Sequence, residues 1–140
     1  MYLTIKFKIV LTFSLIMIFS NLFSQTKIYV KNYFENGKIE SEGWIKDNQK
    51  VDYWFFYYVN GAKKEEGHYV NNKKFKWWIL YDENEIIQKK CEFYNDKLDG
   101  LAIVYKNGII VRAEKYKKNI KIKQWESLSA FRKDNTLTSL

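Results

Sequence analysis

The chain has 140 residues, which sets the expectation of one domain, and 19% of them are aromatic, enough buryable area to exclude wholesale disorder. A net charge of +8 points to anionic partners. The one cysteine, Cys91, excludes an intramolecular disulfide, so packing alone must hold the fold.

The N-terminus reads as an export signal. Lys6 and Lys8 form a positive start, Ile9 to Phe19 is apolar except for Thr12 and Ser14, and small Ser24 marks a cut before Gln25. The apolar stretch to Phe23 is short of the ~20 residues a spanning helix needs, which favours cleavage over retention as an anchor. Residues 1–24 are therefore assigned as a signal peptide, and the rest as an exported protein of the periplasm, outer envelope or extracellular space. Lys6 and Lys8 are the only charges removed, leaving +6 on residues 25–140. Export makes nucleic acid a poor partner and leaves anionic lipid, glycans and envelope proteins.

Thr26 to Val30 is β-branched and aromatic, a first strand. From there a 24-residue step governs the chain, carried by Tyr33, Tyr57, Tyr81 and Tyr105. Asn36-Gly37, Asn60-Gly61 and Asn107-Gly108 each predict a two-residue type I′ hairpin turn. Asp47-Asn48, Asn71-Asn72, Asn95-Asp96 and Lys118-Asn119 mark a second turn in each step, with Asn and Asp tolerating positive φ. Turns about twelve residues apart exclude helical repeats and predict an all-β antiparallel meander of β-hairpins. After Tyr105 the frame slips by one residue; allowing for that, Trp125 is expected at the position of Trp54 and Trp78. Residues 126–140 leave the frame and are read as a tail, with Ser127 to Lys133 a candidate short helix.

Strand alternation assigns faces. Trp54, Phe56 and Tyr58 point one way and Phe55 and Tyr57 the other. In the last hairpin Lys115, Lys117, Lys121 and Lys123 are expected on one face, opposite Tyr116, Ile120 and Ile122.

Aromatic, Asn-Gly, Gly-x-aromatic, Asn, then Trp is a pattern carried by Tyr57, Asn60, Gly61, Gly67, Tyr69, Asn72 and Trp78, and in neighbouring units by Asn36, Gly37, Gly43, Trp54 and Gly100. It resembles the MORN repeat, and more closely the YwqK-like, antitoxin-type proteins, over residues 33–125. The resemblance implies an elongated stack of about four 24-residue hairpin units, spanning a 25–125 domain, used for binding and not for a reaction. The departures are Asp52 and Lys76 where the family has Gly, Glu85 and Cys91 where it has Gly, and Ala102 where it has Trp. Cys91 shares its position with Gly43 and Gly67, so it reads as a small buried residue.

Chemistry finds little support. His68 is the only histidine, which leaves a metal or general-base site without partners. Glu65-Glu66 and Asp82-Glu83 are adjacent in strands or turns and form no dyad. No nucleophile motif or phosphate loop is present, so no enzyme activity, cofactor or metal is expected. Two surfaces remain: the aromatics Tyr53, Trp54, Phe55, Trp77 and Trp78, and the lysines Lys115, Lys117, Lys121 and Lys123. The aromatics read first as core and second as a platform for a protein partner of the envelope. The lysines suggest an alternative, a surface-associated structural protein held to anionic lipid or polysaccharide.

Overall fold

The computed structural model describes residues 26–135. The expected signal segment, residues 1–24, lies outside the described residues, as do residues 136–140. Nine strands form one antiparallel sheet in sequence order: β1 (Ile28–Tyr33), β2 (Ile39–Lys46), β3 (Gln49–Tyr57), β4 (Lys63–Val70), β5 (Lys73–Tyr81), β6 (Ile87–Tyr94), β7 (Lys97–Lys106), β8 (Ile109–Lys117) and β9 (Ile120–Trp125). A helix, α1 (Leu128–Asp134), follows. The all-β meander read from the turns is the observed topology. The first strand starts later than expected and runs on to Tyr33, because its partner β2 offers pairing up to Ile39.

One row of directly paired residues crosses all nine strands: Val30, Gly43, Trp54, Gly67, Trp78, Cys91, Ala102, Glu114 and Gln124. Paired residues share a face, so this is the tryptophan face and it carries the core. Trp54 and Trp78 are fully buried. Each indole lies on the glycine of the preceding strand: a Cβ at Gly43 would stand 2.4 Å from Trp54 Cδ2, and one at Gly67 2.4 Å from Trp78 Cδ2. In the next pair both partners change together, and Cys91 faces Ala102. Without an indole to accommodate, the position accepts a thiol. The two departures from the repeat pattern thus compensate each other.

No second sheet among the described residues covers this face. Lysine side chains do part of that work. Lys50 Nζ sits 4.6 Å from the Trp54 ring centroid and Lys74 Nζ 4.0 Å from that of Trp78, where cation–π attraction and the aliphatic stem both favour the ring. The next hairpin's turn holds each lysine in place: Asn72 Oδ1 accepts from Lys50 N at 2.7 Å, and Asp96 Oδ1 from Lys74 N at 2.7 Å.

The turns divide into two kinds. Asp47-Asn48, Asn71-Asn72, Asn95-Asp96, Lys118-Asn119 and Asn107-Gly108 have positive φ at both residues, as two-residue type I′ turns require. The reading of Asn36-Gly37 and Asn60-Gly61 as the same turn is corrected: there only the glycine is left-handed. Gly37 N donates to Phe34 O and Gly61 N to Tyr58 O, so the chain makes a right-handed turn before a left-handed glycine. Asn36 and Asn60 instead use their side-chain oxygens to accept from Lys38 N and Ala62 N.

That difference sets the slip. Tyr33, Tyr57 and Tyr81 pair six residues on, with Ile39, Lys63 and Ile87, but Tyr105 pairs five residues on, with Ile110. The one-residue shift changes which residue of β8 meets Ala102. Glu114 therefore enters the tryptophan row where Gly or Cys stood before. Trp125, expected with the slip allowed for to match Trp54 and Trp78, pairs instead with Ala113 on the opposite face, because β9 carries one extra residue, Ile122, at the bulge where β3 and β5 carry two, and α1 packs there. Phe131 meets Trp125 edge-on at 5.1 Å, Trp125 Nε1 donates to Asp134 Oδ2 at 2.8 Å, and Ser127 caps the helix by accepting from Ala130 N at 3.1 Å.

Candidate functional site

The five candidate aromatics separate by face. Trp54 and Trp78 belong to the core and offer no surface. Tyr53, Phe55 and Trp77 stand on the opposite face. Tyr53 touches Phe55 edge-on at 5.1 Å and His68 at 4.9 Å, both T-shaped. Trp77 is 39% exposed.

Between these aromatics run ordered polar pairs. Glu42 accepts from Tyr57 Oη at 2.7 Å and lies 3.0 Å from Lys31 Nζ. Glu66 repeats the arrangement with Tyr81 Oη and with Lys63 Nζ at 3.1 Å. Hydrogen bonding by Tyr57 leads the causes that lower the Glu42 carboxyl, while burial, then the carboxylate itself, push both tyrosines upward. Each carboxylate is thus committed to a tyrosine and a lysine, leaving neither free as a base. Among the described residues no group of three or more His, Cys, Asp or Glu could hold a metal ion.

Trp77 opens onto an apolar cleft of about 130 Å³ between the sheet and α1, walled by Leu101, Ile103, Ile110, Ala113, Leu128 and Phe131. Sequence reasoning missed this cleft. Leu128 and Phe131 stand three apart, a helical spacing that faces both toward one side, but which sheet face receives them depends on the bulge that turns Trp125 to the face of Ala113.

The four candidate lysines do not share one face. Lys117 pairs with Ile120 and Lys115 with Lys123, while Lys121 pairs with Tyr116 on the tryptophan face. A two-residue turn pairs positions of opposite parity, and a bulge after Lys115 then restores the original parity for Lys123. Lys121 lies 3.6 Å from Glu114, Lys123 2.7 Å from Asp134 and Lys117 3.1 Å from Asp99. Lys115 makes no ion pair among the described residues. Three of the four therefore meet on the face of Trp77, beside Lys97 and Tyr94, which were not singled out.

Glu114 is the most enclosed carboxylate, 2% exposed, ringed by Lys89 at 3.2 Å, Arg112 at 2.9 Å and Tyr116 Oη at 3.0 Å. Burial alone would raise its pKa; the bonds from Tyr116, Arg112 and Lys89 outweigh it and hold the carboxyl at about 2. It is a buried counter-ion to Lys89, Arg112 and Lys121.

No protein-family model matches this chain, and no curated protein matches it.

Proposed function

We propose that the protein is an exported, non-enzymatic binding module of the MORN-repeat, YwqK-like kind, an elongated array of about four 24-residue units, whose partner is a protein of the cell envelope. The observation that carries this reading is the cleft beside Trp77. It is apolar, sized for one large side chain, and rimmed by the half-exposed Trp77 and Leu128. A partner that seats an aliphatic or aromatic anchor there and lies along Tyr53 and Phe55 would bury these rings without disturbing the core. The recurrence of indole over glycine at Gly43/Trp54 and Gly67/Trp78 supports the family reading. Among the described residues no helix is long and apolar enough to cross a membrane.

Cross-linking capture from envelope extract, using residues 25–140, tests the reading. A protein held through high-salt washing and lost with Trp77→Ala and with Leu128→Ser is the expected result. Capture that dissolves as salt rises, or that ignores both substitutions, refutes it. The exported form should begin near Gln25 on N-terminal sequencing.

A further inference from the structure

In a meander, alternate turns fall at the same end of the sheet, so Asp47-Asn48, Asn71-Asn72, Asn95-Asp96 and Lys118-Asn119 line one end. A concavity of about 480 Å³ opens there between the last two of these turns, walled by Tyr94, Asn95, Lys97, Asp99, Lys117 and Lys118. It is separate from the cleft beside Trp77 and chemically unlike it. Three ammonium groups face one carboxylate. Lys117 neutralises that carboxylate, Asp99, at 3.1 Å, while Lys97 and Lys118 pair with no acid among the described residues. The neighbouring acids are turned elsewhere: Asp96 Oδ1 accepts from Lys74 N and Glu92 Oε2 from Leu101 N. Lys115, two residues along β8 from Lys117 on the same face, adds positive charge, whereas Lys123 is neutralised by Asp134 at 2.7 Å. Tyr94 is 57% exposed, and its ring is braced by Phe75 at 5.9 Å.

An exposed, braced aromatic ring, an amide and two unpaired amines converging on a concavity match a sugar that carries an anion. The C–H face of a pyranose stacks on Tyr94, its hydroxyls reach Asn95, and a carboxylate or sulfate ester meets Lys97 and Lys118. We propose that this concavity binds an acidic polysaccharide. The lattice of the sheet extends the match. Turns two strands apart lie about 10 Å from one another, close to the length of one disaccharide. Lys73 belongs to the preceding turn and Lys46 to the one before, so a chain with one anion per disaccharide finds an amine at each step. A recess of about 480 Å³ walled by an amide and a ring as well as by amines offers hydroxyl and stacking contacts that charge attraction to a bilayer does not use, which favours a glycan over lipid.

The test is calorimetric titration of the full chain with oligosaccharides of hyaluronan, which carry one carboxylate per disaccharide. A neutral cello-oligosaccharide and vesicles of phosphatidylcholine with phosphatidylglycerol serve as the other arms. Lys97→Ala with Lys118→Ala should weaken hyaluronan binding by about tenfold or more, equivalent to ~1.4 kcal/mol or more. Tyr94→Ala should weaken it by roughly fivefold, in the range of one lost ring contact. All three side chains are exposed, so circular dichroism should show an unchanged fold. Absence of hyaluronan binding overturns the proposal, as does equal binding of the neutral sugar. Vesicle binding that falls with the lysine pair while Tyr94→Ala changes nothing in any arm overturns it in favour of a membrane.

Discussion

Replacing Gly67 with alanine asks whether glycine is there for its backbone or for the ring above it. The added Cβ would stand 2.4 to 2.6 Å from three atoms of the Trp78 indole. Overpacking of that kind costs roughly 1–3 kcal/mol, reduced by about 0.5–1 kcal/mol because alanine loses less chain entropy on folding. Trp78→Ala removes a fully buried ring of the core, at a cost of about 3–5 kcal/mol. If the two costs were independent, the double variant would lose their sum. With the indole gone, however, the Cβ of residue 67 has nothing to strike. The double variant should be no less stable than Trp78→Ala alone, a coupling of about 1–2 kcal/mol. The Cys91/Ala102 pair shows that the sheet tolerates such a combination. Urea unfolding followed by far-ultraviolet circular dichroism measures all four proteins without relying on indole fluorescence. Additivity within about 0.5 kcal/mol would refute the claim that glycine is dictated by the tryptophan.

Three further outcomes follow from the geometry. Lys76 holds φ 60 where Gly100 stands in the equivalent bulge, so Lys76→Gly should raise stability by about 0.5–1 kcal/mol, read as a higher urea midpoint. Glu114 is held at about 2, below the ordinary carboxylate value of 4.5; a lowered folded pKa gives stability that is complete above the unfolded value and is lost as pH falls from about 4.5 toward 2. Glu114→Gln should flatten that part of the stability profile while lowering stability at neutral pH by roughly 1–3 kcal/mol; an unchanged acid limb would refute it. Burial pushes the Cys91 thiol to about 11, so Ellman's reagent should be ignored by the native protein at neutral pH and react at the rate of unfolding in urea.

How much of this was legible depends on the range of the interaction that decides each feature. Asn71-Asn72 and Asn95-Asp96 announced their turns because positive φ is a local demand that few residues meet. Asp52 and Lys76 could be flagged only as missing glycines; that they occupy left-handed bulges emerges from the pairing of β3 with β2 and of β5 with β4. Asn36-Gly37 and Asn107-Gly108 share a dipeptide but not a turn, since the flanking strands choose the register. The placement of Lys121 and Trp125 followed from the last turn and the bulge after Lys115 and was beyond counting parity along one strand. The cleft beside Trp77 is less legible still, because it joins β5, β7, β8 and α1 beyond a bulge that only pairing reveals.

Sequential strand order also has a kinetic consequence. Every strand pairs through its backbone only with the strands before and after it in the chain, so no step of assembly closes a loop much longer than one hairpin. Low contact order of this kind lowers the entropic barrier to folding, which is unusual for an all-β chain. It also means that mechanical load applied at either edge is met by one strand at a time. Such a sheet should yield by peeling from β1 or from β9, and α1, bonded to Trp125 and Lys123 through Asp134, makes the β9 edge the harder one to start.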